Sequence, residues 1–259
     1  MNTPFDAEVI KQRISCLQES PEYRQACNQF QSELDRFSVI AANAHSLYQK
    51  FQSAYPADTV RHEYASQSTL RRGFYCPSPV IELIVRNIHR GRILKRITSR
   101  SNPTHEYGIS ASGKLLWCTT LRNGAVSFTE YLSYENNRVY GFMFDAYGRL
   151  CTLTEEIYEN DKIVSYSHCL CLTFDTVVRC ASLEREDYFY DAEGLCCCEW
   201  YDYHTPSALP TNLPEAILSL QLPVPVYRHN QYAFNRRNGY IESYVCNGLT
   251  YYPRFRKKA

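Results

Sequence analysis

A hairpin-sized unit recurs every 24 residues in the middle of this chain, and it limits what the chain can fold into. Tyr134-Glu135-Asn136-Asn137-Arg138-Val139 returns as Tyr158-Glu159-Asn160-Asp161-Lys162-Ile163, with three positions identical and three conservative. The turn between them keeps step, since Asn123-Gly124-Ala125-Val126 aligns with Tyr147-Gly148-Arg149-Leu150. Units of this size bury their apolar face only against one another, so they stack in sequence order. A repeat of this kind describes an architecture, not a reaction.

Turn signals extend the pattern. They fall at Ser112-Gly113, Asn123-Gly124, Asn136-Asn137, Tyr147-Gly148 and Asn160-Asp161, 11 to 13 residues apart. That spacing leaves strands of about eight residues. Val126, Phe128, Leu132 and Tyr134 share one face of such a strand, with Ser127, Thr129 and Ser133 on the other. Phe144-Asp145-Ala146-Tyr147-Gly148 returns as Tyr190-Asp191-Ala192-Glu193-Gly194, which carries the meander to about residue 204. Two more turns, Asn238-Gly239 and Asn247-Gly248, close the chain with a last hairpin pair.

The N-terminal part reads as helix. Thr3-Pro4-Phe5-Asp6 and Ser20-Pro21-Glu22-Tyr23 are both start signals, with a capping hydroxyl, Pro at the first position and an acid in the first turn. Tyr23, Cys27, Phe30, Leu34, Phe37, Ala41, Ala44, Tyr48 and Phe51 then fall on one stripe. An unbroken helix over 21–53 would run about 50 Å at 1.5 Å per residue, ending before Pro56. Residues 57–76 read as linker, Val80 to Ile88 as a short helix, and Ile93 to Ile97 as a first strand. The Pro-rich stretch 205–227 holds one short helix, Glu215 to Leu220. The expected architecture is α+β: a helical hairpin (1–56), a basic linker with a short helix and first strand (57–106), an antiparallel meander of tandem hairpins (107–204), and a Pro-rich segment with a C-terminal hairpin (205–259).

The aromatic–Asp–x–x–Gly and Tyr-Glu-Asn-Asp-Lys turns resemble YD-type repeats over about 107–204. Similar repeats occur in bacterial polymorphic toxin systems, in toxin shells and in small cytosolic immunity proteins. Shells need dozens of repeats and this chain has four or five, so the resemblance implies the immunity side. MORN-type arrays share the period, but their repeated internal Gly pattern is missing here.

Charge separates along the chain although the net charge is only +1. Residues 71–100 hold eight Lys/Arg against Glu82 alone, and 128–203 hold fifteen Asp/Glu against five Lys/Arg. An acidic sheet suits a basic partner, such as the cleft of a nuclease toxin. Glu135, Glu155, Glu156, Glu159 and Asp161 cluster around two successive turns and are the candidate partner-binding residues. Two alternatives stand beside this. Arg86, Arg90, Arg92, Lys95 and Arg96 could track the phosphates of a nucleic acid, and the 23–51 helix could drive assembly.

No enzyme is expected, because Gly-x-Ser-x-Gly, phosphate loops and framed carboxylate pairs are all missing. No cofactor is called for. The twelve Cys are expected as buried reduced thiols of a cytoplasmic protein. His168-Cys169-Leu170-Cys171 and Cys196-Cys197-Cys198 are the best metal candidates, since alternate cysteines share a strand face. Without Cys-x2-4-Cys knuckles no metal is expected there. No run of 18 apolar residues exists, and Met1 to Asp6 lacks a basic region followed by an apolar core, so a cytoplasmic location is expected.

Overall fold

In the computed structural model, residues 19–98, 100–174, 177–205, 225–253 and 257–258 are described. The start signal at Thr3-Pro4 and the helix read at 215–220 lie outside them. Ser20 caps helix α1 (Pro21–Ala41): its Oγ accepts from the Tyr23 N–H, and Pro21 opens the first turn. Cys27, Phe30, Leu34, Phe37 and Ala41 are the buried stripe of α1. The helix does not run unbroken to residue 53. It breaks at Ala42–Asn43, and α2 spans Ala44–Asp58 with Pro56 inside its last turn. Asn43 (φ −92°, ψ 7°) leaves the helical region there, as an amide side chain readily does at a helix boundary.

The strands are β1 (Thr59–Ser66), β2 (Arg92–Ile93), β3 (His105–Ser110), β4 (Leu115–Arg122), β5 (Ala125–Glu135), β6 (Arg138–Asp145) and β7 (Leu150–Glu159). They continue as β8 (Lys162–Phe174), β9 (Val177–Asp191), β10 (Gly194–His204), β11 (Val226–Arg237), β12 (Tyr240–Cys246), β13 (Leu249–Tyr251) and β14 (Lys257–Lys258). Among the described residues they form one sheet, ordered β13-β12-β11-β10-β9-β8-β7-β6-β5-β4-β3-β1-β2, with β14 on β12. Every pairing is antiparallel, and from β3 to β13 each strand lies beside its sequence neighbour.

The turns follow from their residues. Asn123-Gly124, Asn160-Asp161, Asn238-Gly239 and Asn247-Gly248 all have positive φ at both positions, the two-residue turn that matches the twist of the strands it joins. The aromatic–Asp–x–x–Gly turn works through its carboxylate. Asp145 Oδ1 accepts from the Tyr147 and Arg149 N–H groups, and Asp191 Oδ1 from that of Glu193.

Both faces of the sheet are covered. On one side α1 and α2 pack on Tyr131, Phe142, Phe144, Leu153, Leu183 and Tyr203. Phe30 lies against Tyr201, Tyr203 and Tyr227, and Phe51 stacks on Tyr131. On the other side lies the stretch between β1 and β2, residues 67–91. Its Val80, Ile81 and Ile84 bury against Tyr166, Tyr188, Cys198 and Ile241. Three sequence expectations change here. Residues 59–66 are the strand β1, not linker, the helix expected from Val80 is a single π-type turn, Ile81–Val85, and the first strand expected over Ile93 to Ile97 is the two-residue β2, Arg92–Ile93.

Candidate functional site

The crossing segment carries its charges inward. Arg72 and Gly73 both take positive φ (53° and 54°), which turns the chain sharply and aims the Arg72 side chain at the sheet. The Tyr107 hydroxyl fixes that turn, donating to the Arg72 carbonyl (2.9 Å) and accepting from the Phe74 N–H (2.8 Å). Arg72 Nη2 donates to Glu130 Oε1 (2.9 Å) and Thr154 Oγ1 (3.1 Å), while Nη1 pairs with Glu156. Tyr158 donates to the second oxygen of Glu156 at 2.7 Å. Gly141 makes room for this cluster, since a Cβ there would collide with Arg72, Glu130 and Thr154.

Arg71 Nη2 donates to Thr152 Oγ1 (2.5 Å) and meets His168 Nε2 (2.7 Å). A ring nitrogen facing a guanidinium must be the acceptor, so His168 is neutral. Burial first, and then Arg71 and Arg86, push its pKa well below the ordinary value. Burial alone would raise the Glu130 carboxyl, but Arg72 and Arg71 hold it below its ordinary value. Three buried atoms have no partner among the described residues: Arg71 Nη1, Arg72 Nε and Glu130 Oε2.

Two clefts share Arg72. One, of about 410 Å³, is lined by Leu70, Arg71, His105, Cys118, Glu130 and Met143 among others. The other, of about 430 Å³, is lined by Tyr75, Tyr134 and Tyr158, with Asn136, Asn137 and Asp161 from the repeat turns. Those two turns are joined, as the Tyr158 N–H donates to the Asn137 carbonyl (2.8 Å) and Asn137 Nδ2 to the Tyr158 carbonyl (3.2 Å). Burial pushes the Tyr75 and Tyr134 phenols up to about 12, so they stay protonated.

The acidic cluster read from the sequence divides. Glu135, Glu159 and Asp161 are exposed on the two turns. Glu155 and Glu156 are not available to a partner, being 2% and 3% exposed. Successive residues of a strand point to opposite faces, and here both faces are covered. Glu155 meets α1, taking Arg36 (2.7 and 3.0 Å) and Arg138 (2.5 Å), and Glu156 meets Arg72. Reversing their charge would strand the buried Arg72 guanidinium and place new cations at two buried positions, testing folding rather than binding.

The basic stretch divides as well. Arg71 and Arg72 turn inward. Arg86 pairs with Glu82 (2.6 Å) and Glu184 (3.3 Å), which removes it from the set free to meet phosphates. Arg90, Arg92, Lys95 and Arg96 are exposed and form no ion pair among the described residues. The cysteine candidates also part company. Cys169 and Cys171 on β8 are separated from Cys196 and Cys198 by β9, and it is Cys180 of β9 that joins them.

The sequence reading missed the inner face of the crossing segment altogether. Ser78 Oγ donates to both oxygens of Glu186 (2.7 and 3.0 Å), and the Ile81 N–H (3.2 Å) and Tyr188 hydroxyl (2.9 Å) add two more bonds. Burial still outweighs these donors and raises the Glu186 carboxyl to about 7. The only signal in the sequence was the density of Arg between two apolar stretches.

No family model matches the chain, and no curated protein matches it. Among solved structures, a porin-like protein from Bacteroides uniformis is similar at 11% identity with a TM-score of 0.17, over 60% of this chain and 90% of that one. A likeness that low carries no argument about fold or location. No helix among the described residues is long and apolar enough to cross a membrane.

Proposed function

We propose that this protein is a non-catalytic binding protein whose turn end receives a basic segment of a partner protein. The observation that carries the reading is the cleft at the paired turns. Tyr75, Tyr134 and Tyr158 line it, Asp161, Asn136 and Asn137 stand at its turn end, and Glu135 and Glu159 are exposed on the same turns. Phenol rings beside carboxylates and amides suit the stem and the charge of a Lys or Arg side chain. The YD-like turns and the acidic exposed residues together favour an immunity-like role in the cytoplasm, neutralising a basic toxin domain.

The test is affinity capture from the native host with the wild-type chain and with a Glu135→Lys/Glu159→Lys/Asp161→Asn variant. All three residues are exposed and Asn tolerates the positive φ of position 161, so the variant keeps its fold, which circular dichroism checks. A stoichiometric basic partner held by the wild type and lost by the variant supports the reading. A partner that both capture equally removes it.

A second reading rests on the exposed, unpaired Arg90, Arg92, Lys95 and Arg96, a basic strip beside the β1–β2 edge suited to phosphates. Retention of nucleic acid that falls steeply with salt, and that neutralising these four residues abolishes, would favour it. No retention at low salt ends it.

A further inference from the structure

Under α1, three thiols meet. Cys169 and Cys171 lie on β8, and Cys180 lies on β9 directly opposite Cys171. A register shift makes the group possible. Leu170 pairs with Ser182, but Cys171 pairs with Cys180 rather than Ala181, so the extra residue turns Cys180 onto the helix-facing side. All three are buried, and their sulfurs lie within 4.8 Å of one another. Thiolates about 2.3 Å from a common ion stand at most about 4.6 Å apart, so these sulfurs need close up only slightly to share one.

The surroundings choose the ion. Among the described residues no further His, Asp, Glu or Cys joins the group, and zinc would want a fourth ligand. Three thiolates on a divalent ion would also leave a net negative charge beside Leu34, Phe37 and Leu183, which is costly in an apolar core. A trivalent ion with three thiolates is neutral and needs no fourth ligand. Thiolates select soft ions. We infer that Cys169, Cys171 and Cys180 form a three-thiol site for a soft trivalent metalloid ion, for which arsenite is the probe.

The chemistry balances without an oxidant. Arsenous acid condenses with three thiols, so three S–H and three As–O bonds break, three As–S bonds form, and three waters leave. Cys180 is the point of entry, at 8% exposure against 4% for Cys171 and 0% for Cys169.

The full-length reduced chain is titrated with arsenite and followed by native mass spectrometry and X-ray absorption at the arsenic edge. The expected result is one arsenic per chain, with three sulfur neighbours and no oxygen. Cys180→Ser should lose the adduct at stoichiometric arsenite, and a Cys196→Ser/Cys197→Ser variant should keep it. Should Cys180→Ser fail to fold, the absorption spectrum of the wild type decides alone. No adduct, oxygen kept in the first shell, or an adduct that survives in folded Cys180→Ser would overturn the inference.

Discussion

Replacing Arg72 by Met tests whether the crossing segment is structural. Arg72 is 4% exposed, and its guanidinium meets Glu130 and Glu156, which are 2% and 3% exposed. Met fills much of the volume but leaves two carboxylates without their cation. Glu130 keeps a long contact from Thr154 (3.4 Å), and Glu156 keeps the Tyr158 hydroxyl (2.7 Å). Breaking a buried pair by removing one partner costs about 3–5 kcal/mol. With a urea slope of about 3 kcal/mol/M, at the upper end for small proteins, the midpoint should fall by about 1–2 M. Urea unfolding followed by the fluorescence of Trp117 and Trp200 reads this directly. The loss should shrink in acid. The Glu130 carboxyl is held below its ordinary value in the wild type, so its contribution is present above the unfolded pKa and lost as pH falls through the folded one. In the variant the orphaned Glu130 carboxylate takes up a proton as pH falls and stops repelling its neighbour. Adding Glu130→Gln and Glu156→Gln should restore most of the stability. A loss below about 1 kcal/mol, the range of an exposed ion pair, would refute the claim that this cluster is sealed in the core.

Three further outcomes are expected. Glu186 has a folded pKa of about 7 against its ordinary 4.5, so the neutral form is favoured by folding. Its contribution is complete below pH 4.5 and lost as pH rises to about 7, a fall of about 3 kcal/mol. Glu186→Gln should flatten that part of the stability profile. Gly141→Ala should destabilise by about 1–3 kcal/mol in the same urea assay, because its Cβ enters the Arg72–Glu130–Thr154 cluster. Phe37→Ala, at 0% exposure on α1, should cost about 3–5 kcal/mol. Val39→Ala, at 71% exposure on the same helix, should change stability by less than about 0.5 kcal/mol.

What was legible in the sequence was local. Asn-Gly and Asn-Asp pairs take positive φ with little help from the rest of the fold, and the Asp of Phe-Asp-x-x-Gly closes its own turn, so the meander and its order could be read directly. The stripe on α1 was legible for the same reason, its period being a property of one element. The break at Ala42–Asn43 was not, because the apolar stripe runs on through it. The 67–91 segment was least legible. Leu70, Cys76, Val80, Ile81 and Ile84 are buried, yet they lie on short irregular turns with no regular period. Their burial is decided by the sheet they cross. Glu155 and Glu156 were misplaced for the same reason: a single exposed face was assumed, and partners 119 and 84 residues away cover both.

Those distant partners also resolve a difficulty that a self-similar sheet creates. Units 24 residues apart carry similar turns and similar apolar faces, so packing alone discriminates weakly between a covering segment seated correctly and one seated a unit away. The charges discriminate strongly. A covering segment seated one unit away would leave Arg72 without Glu130 and Glu156, or Arg36 without Glu155. The loss at the buried Arg72 guanidinium alone costs several kcal/mol. The local turns therefore build the meander, and charges at single positions decide where the helices and the crossing segment sit on it. A sequence search for function in such a protein has to weigh its buried charges as part of that assembly before counting them as a binding surface.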